Sequence, residues 1–169
     1  MLLGGDEDVE TTAQIAAGLP AGHITDLAGK TTLAELAATL AACDVVLTND
    51  TGPMHVVPAV GTPVVVLFGS TSPDLTAPGL PGGGSHQLLR TTAPCSPCYL
   101  KECPIDLRCL NDITPAQAVQ AARTPVVPAQ VARAPAVQVQ AALAVLGHRD
   151  MAVPLAVACA AALAFKKPL

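Results

Sequence analysis

The sequence has few aromatic residues: they make up 2% of it, with two phenylalanines, one tyrosine and no tryptophan. Any core must therefore be assembled from alanine, valine and leucine, and it is thin per residue because aromatic rings bury the most area. Charge is scarce as well. Nine Lys and Arg against thirteen Asp and Glu leave a net charge of -4, and no basic cluster is present to neutralise a nucleic-acid backbone. Nucleic acid is excluded as a partner on that ground. There is no basic start followed by a long apolar run, because the opening Leu2-Leu3-Gly4-Gly5 passes at once into Asp6, Glu7 and Asp8. A cytoplasmic location is expected, and in that reducing compartment the six cysteines read as free thiols or metal ligands rather than disulfides. A bilayer-spanning run is missing too: the apolar stretch 151–165 has fifteen residues, short of the roughly 20 that a helix needs to cross. At most a peripheral association with a membrane is expected.

Hydrophobic residues are plentiful, at 51% of the chain, which is ample for one packed domain. Over the first 75 or so residues, short β-branched runs alternate with Ala/Leu-rich stretches, the pattern of parallel strands joined by crossover helices. Leu2-Leu3 reads as the tail of a strand, and 6–19 as a helix with acidic residues in its first turn. Thr32 and Glu35 form a capping box that opens a helix running to about Cys43. The runs 44–48 and 64–68 are too uniformly apolar to have a solvent face, so they belong in the middle of a parallel sheet, with a short helix from Pro53 to about Val60 between them. A weaker strand is expected at 87–90, and Thr114-Pro115 opens a last helix. The reading is an α/β Rossmann-like domain over 1–123 that contains a Cys-rich loop at 95–109. It is followed by an Ala/Val/Pro-rich tail, 124–169, whose pattern assigns no structure.

The chemistry concentrates in Thr48-Asn49-Asp50-Thr51-Gly52-Pro53-Met54-His55, where a buried parallel strand meets a helix. Ligands of open α/β sheets bind at such junctions. With Pro53 as first helical residue and Gly52 as the cap, the amides of Gly52, Met54 and His55 lack partners inside the helix and form an anion site. Gly52 lets a phosphate approach closely, the Thr51 hydroxyl adds a donor, and the helix dipole favours negative charge. The same residues also suit a plain turn and cap, with Met54 in the core and His55 a packed histidine. Gly29-Lys30-Thr31-Thr32 imitates the end of a P-loop, but Ile24 stands where that motif requires glycine, which excludes an ATPase. Pro58 removes one helical hydrogen bond and weakens the short helix behind the junction.

These segments, in order, resemble the family 9 glycosyltransferases. The resemblance runs through Leu2-Leu3-Gly4-Gly5, the stretch from Asp26 to Leu33, the stretch from Thr48 to Val56, Gly61 to Asp74, the cysteine loop and Asp112-Ile113-Thr114-Pro115. It implies the C-terminal, donor-binding half of a GT-B enzyme that transfers heptose from ADP-heptose, with inversion, to the lipopolysaccharide inner core at the inner face of the bacterial inner membrane. By position, Asp50 holds heptose hydroxyls, Thr51, Gly52, Met54 and His55 hold the diphosphate, and Lys30 and Thr31 line the adenosine. The resemblance requires no cofactor and assigns the general base to an N-terminal acceptor domain outside this chain, so an isolated fragment is expected to be inactive. Cys95, Cys98, Cys103 and Cys109 admit a structural zinc, although only the first two have knuckle spacing. The alternative is a non-catalytic, truncated Rossmann-like module, with or without that zinc.

Overall fold

The computed structural model describes residues 1–20, 22–78 and 86–124, together with the backbone of 142–144. Its centre is a parallel sheet. Strand β1 is Leu2–Leu3, β2 Val46–Asn49, β3 Val64–Phe68, β4 His86–Arg90 and β5 Ala142–Ala144, in the spatial order β1-β5-β2-β3-β4. Val46 pairs with Val64, and Val64 in turn with His86, so the three strands β2, β3 and β4 start in line. A single parallel bridge from Leu2 to Asp26 extends the sheet beyond β1.

The helices are α1 (Val9–Ala17), α2 (Leu33–Ala41), α3 (Gly52–Ala59), α4 (Pro73–Thr76), α5 (Arg108–Asn111) and α6 (Pro115–Arg123). Side chains alternate across a strand, and here both sets are buried. Leu47, Val65 and Leu67 pack with Ile15 and Leu19 and with Ala118, Val119 and Ala121 of α6. Val46, Val64, Val66 and Phe68 pack on the opposite face with Leu40 of α2 and with Met54 and Val57 of α3. Cover on both faces explains why 64–68 reads as an unbroken apolar run. Fully burying such side chains stabilises the fold by about 1.5–3 kcal/mol each.

Local signals set the helix ends. The Glu35 amide donates to Thr32 Oγ1 at 3.3 Å while the Thr32 amide donates to Glu35 Oε2 at 2.8 Å, the expected reciprocal box. Thr114 and Gln117 repeat it before α6. The first expected helix is broken in two: Asp6–Asp8 forms a 3-10 turn before α1, because the Asp8 carboxylate folds back to accept the Gly5 amide at 2.9 Å. Pro58 is buried inside α3, which continues helical to Ala59 in spite of it.

The composition of 124–169 assigns no structure, yet Ala142–Ala144 occupies the middle of the sheet, with Leu143 paired to Leu2 on one side and Leu47 on the other. Three residues carry no readable period, so only the ladder reveals them. The apolar stretch 151–165 and Cys159 lie outside the described residues. Among the described residues no helix is long and apolar enough to cross a membrane.

Candidate functional site

Because the strands are parallel, the segments leaving β1, β2, β3 and β4 emerge along one edge of the sheet. At the end of β2 the chain turns through Asp50 and Thr51 into α3. Thr51, with φ -146° and ψ 174°, is the N-cap, one residue before the position expected for it, so Gly52 and Pro53 are the first two helical residues. The Thr51 hydroxyl makes no capping bond. It lies 3.4 Å from both the Asn49 carbonyl and the Thr48 hydroxyl.

Met54 departs from its assigned role. Its amide donates to the Thr51 carbonyl at 3.1 Å, and its side chain is fully buried in the core. The carbonyl at the cap turns inward to close the first turn, so Met54 supports the junction from beneath and offers nothing to a ligand. Pro53 has no N–H. The Gly52 amide has no hydrogen-bond partner among the described residues, and a Cβ placed on Gly52 would meet no atom within 4 Å. His55 is exposed on the same first turn. The dipole of α3 adds partial positive charge at this mouth.

Asp50 is half-buried and accepts a hydrogen bond from Thr76 Oγ1 at 2.6 Å. Thr76 closes α4, a single turn capped by Ser72, whose Oγ accepts the Asp74 amide at 3.3 Å. Arg90, at the end of β4, reaches over to donate to Ser72 Oγ at 3.1 Å and to pair with Asp74. The hydrogen bonds from Arg90 and Ser72, with the Arg90 charge behind them, hold the Asp74 carboxyl below the ordinary carboxylate range. A polar chain thus runs from β4 through α4 to the turn after β2. Sequence reasoning missed Ser72, Asp74, Thr76 and Arg90 as neighbours of Asp50. Ser72-Pro73-Asp74 after a buried strand repeats the strand–cap–proline pattern of the Asp50 junction, which was the available signal.

Lys30 and Thr31 stand on the same edge beyond β1, with β5 between that region and β2. Gly29, at φ +66°, has no room for a side chain, because a Cβ there would lie 2.9 Å from Val9 Cγ2. Lys30 is exposed and its Nζ donates to the Asp26 carbonyl at 3.0 Å. Thr31 is half-buried just ahead of the Thr32 cap. No described hydrogen bond links this pair to the Asp50 turn.

At the end of β3 the cysteine loop settles on the sheet. Ser96 Oγ donates to the Gly69 carbonyl at 2.7 Å, and the Cys98 and Tyr99 amides donate to the Ser70 carbonyl at 3.0 and 2.9 Å. Asp112 ties off the base, accepting from the Thr92 amide at 2.6 Å and from the Thr91 and Thr92 hydroxyls at 2.9 Å each. These donors hold its carboxyl below the usual range. Cys95, Cys98, Cys103 and Cys109 line one cavity, with Ser70 and Leu110 in its wall. None of them forms a disulfide. Among the described residues no three His, Cys, Asp or Glu groups are already gathered closely enough to share an ion.

A parallel sheet covered on both faces by helices defines a Rossmann-like α/β protein, and the strand–turn–helix junction on its carboxyl edge lies where open sheets of this kind take their ligands. Residues 1–108 match the family model of glycosyltransferase family 9 (heptosyltransferase), and the chain belongs to that family. It is 32% identical over 101 residues to lipooligosaccharide heptosyltransferase 2 of Campylobacter jejuni, an alignment covering 59% of this chain and 31% of that protein. With lipopolysaccharide heptosyltransferase 2 of Escherichia coli K12 it shares 40% identity over 81 residues, 46% of this chain and 23% of the relative. The crystal structure of a family 9 glycosyl transferase from Veillonella parvula superposes with a TM-score of 0.58 at 26% identity, covering 73% of this chain and 35% of that one. The chain therefore spans about a third or less of the length of these relatives.

Proposed function

We propose that this chain is the donor-binding part of a GT-B heptosyltransferase that moves heptose from ADP-heptose, with inversion, onto the lipopolysaccharide inner core at the cytoplasmic face of the inner membrane. In this reading the acceptor and the general base are held by the other, N-terminal half of the GT-B architecture, and the described residues hold the donor. Family membership supports the reaction class. The observation that carries the site assignment is the open Gly52 amide at the head of α3, beside a carboxylate and hydroxyls on the carboxyl edge of the sheet.

Each residue has a chemical task in this reading. Breaking the sugar–phosphate bond builds negative charge on the departing ADP, and a fixed N–H donor at a helix N-terminus stabilises that charge as it develops. Gly52 supplies the donor and, having no side chain, lets the diphosphate come close. The Thr51 hydroxyl, unused in capping, adds a second donor, and His55 stands exposed on the same turn. Asp50 accepts from heptose hydroxyls with the oxygen that Thr76 leaves available. Lys30 and Thr31 line the adenosine.

Calorimetric titration of the full chain with ADP-heptose and with ADP tests the assignment, in parallel with Asp50→Ala and Gly52→Val. The valine faces open space in the free protein, so it leaves the fold intact and blocks only the ligand. Saturable binding lost in Gly52→Val is the expected result. Absence of heat in the parent protein, or unchanged binding in Gly52→Val, overturns it.

A further inference from the structure

We infer that the loop from Cys95 to Cys109 is a tetrathiolate zinc site built from Cys95, Cys98, Cys103 and Cys109 against the carboxyl end of β3. The donor set comes first. Four thiols line one cavity, and the rest of its wall is mostly hydrocarbon from Leu100, Ile105, Leu107 and Leu110, with no carboxylate or imidazole among the lining residues. With Ser70 the only oxygen-bearing side chain in its wall, such a lining falls far short of the oxygen shell of a hard cation such as calcium or magnesium and suits a thiophilic ion, for which four cysteines at tetrahedral positions are a closed, structural shell.

The loop also lacks other means of support. From Thr91 to Leu107 the chain forms neither helix nor strand, and Tyr99, Leu100 and Ile105 are exposed, so it contributes little to the core. A structureless stretch of that length in a compact domain calls for a function or a cross-link. Its backbone is nonetheless held in a definite course. Tyr99 and Leu107, neither of them glycine, adopt left-handed conformations with φ of 56° and 55°, the first directly after Cys98 and the second ahead of Cys109. These turns bring the early and late cysteine pairs to one cavity. The Leu107 amide donates to Cys103 Sγ at 3.3 Å and so orients that sulfur as an outer-shell donor does around a metal.

The thiols surround the cavity without meeting at its centre. Each cysteine side chain has a single χ1 rotation between three wells, and the ion draws the four sulfurs inward, releasing their protons as it binds. Gly69 fixes the floor: a Cβ there would lie 2.4 Å from Leu110 Cδ2 and 3.5 Å from Cys109 Sγ, so α5 seats only on a bare backbone. Through Gly69 and Ser70 the site braces the turn that leads to Ser72 and Thr76. The inference stands independently of the donor reading.

Elemental analysis of the full chain, purified without chelators, should give one zinc per chain. Blocking thiols should release that zinc to a chromogenic chelator, and cobalt exchanged for it should show the ligand-field and sulfur-to-metal charge-transfer bands of tetrahedral tetrathiolate coordination. Cys98 is exposed, so Cys98→Ser removes no core packing and should abolish stoichiometric zinc. Cys43→Ala, in the core away from the loop, should retain it. The cobalt spectrum of the parent protein decides the matter even if a serine variant fails to fold. Four loop cysteines that remain fully reactive with zinc present, disulfides among them, or iron with acid-labile sulfide would each overturn the inference.

Discussion

Replacing Thr76 with valine removes one hydroxyl and little volume, and with that hydroxyl goes the bond that joins α4 to the turn after β2. The helical turn itself does not depend on that hydroxyl, because the Ser72 carbonyl still accepts the Leu75 and Thr76 amides at 3.1 and 3.2 Å. What is lost is the 2.6 Å bond to Asp50 Oδ2, together with the hydroxyl's longer 3.1 Å bond to the Ser72 carbonyl inside α4, which is common to both arms of a double-mutant cycle with Asp50 and cancels there. Hydrogen bonds to charged groups contribute about 1.5–3 kcal/mol, and since Asp50 is only half-buried the lower end applies, about 1.5 kcal/mol. A double-mutant cycle of Thr76→Val with Asp50→Ala, read by urea denaturation, should therefore show a coupling of about 1 kcal/mol or more. Donor binding gives a second readout: an Asp50 carboxylate freed to rotate should weaken ADP-heptose by up to about tenfold and leave ADP unaffected. Stability effects that add within about 0.5 kcal/mol, or an equal loss of affinity for both ligands, would refute the positioning role of Thr76.

Phe68→Ala should destabilise by about 3–5 kcal/mol in the same assay, because the ring is fully buried in the most enclosed strand. Thr32→Ala should remove the box at the head of α2 and about 1 kcal/mol of stability, visible as a lower thermal midpoint. Gly52→Ala should change stability by less than about 0.5 kcal/mol, because its side chain meets open space, while still weakening ADP in calorimetry. Burial raises the Cys43 thiol from an ordinary value of 9.0 to about 11, and Cys43 Sγ donates to the Thr39 carbonyl at 3.2 Å. The folded form therefore holds this proton where the unfolded chain has lost it. The stability contributed is complete below about pH 9 and should fall as pH rises toward 11, a decline that Cys43→Ala should flatten.

The sequence alone determined the elements whose cause is local. The runs 44–48 and 64–68 read as buried strands from their apolar residues, and strands stand at Val46–Asn49 and Val64–Phe68, while the helices opening at Thr32 and Thr114 are set by side chains three residues apart that satisfy each other's amides. The junction at Asp50 to His55 was legible for the same reason, since strand, turn residues and proline are contiguous in the chain. Tertiary structure alone decided which groups meet across it. Thr76 reaches Asp50 over twenty-six positions, and Arg90 reaches Ser72 over eighteen, separations at which no pattern in the chain specifies a partner. The inward turn of the Thr51 carbonyl engages the Met54 amide and withdraws it from the mouth of the junction, and Ala142–Ala144 takes a place between β1 and β2 that its composition does not announce. Periodicity encodes which face of an element is buried, whereas pairing over long separations follows from how the faces stack once the sheet has closed.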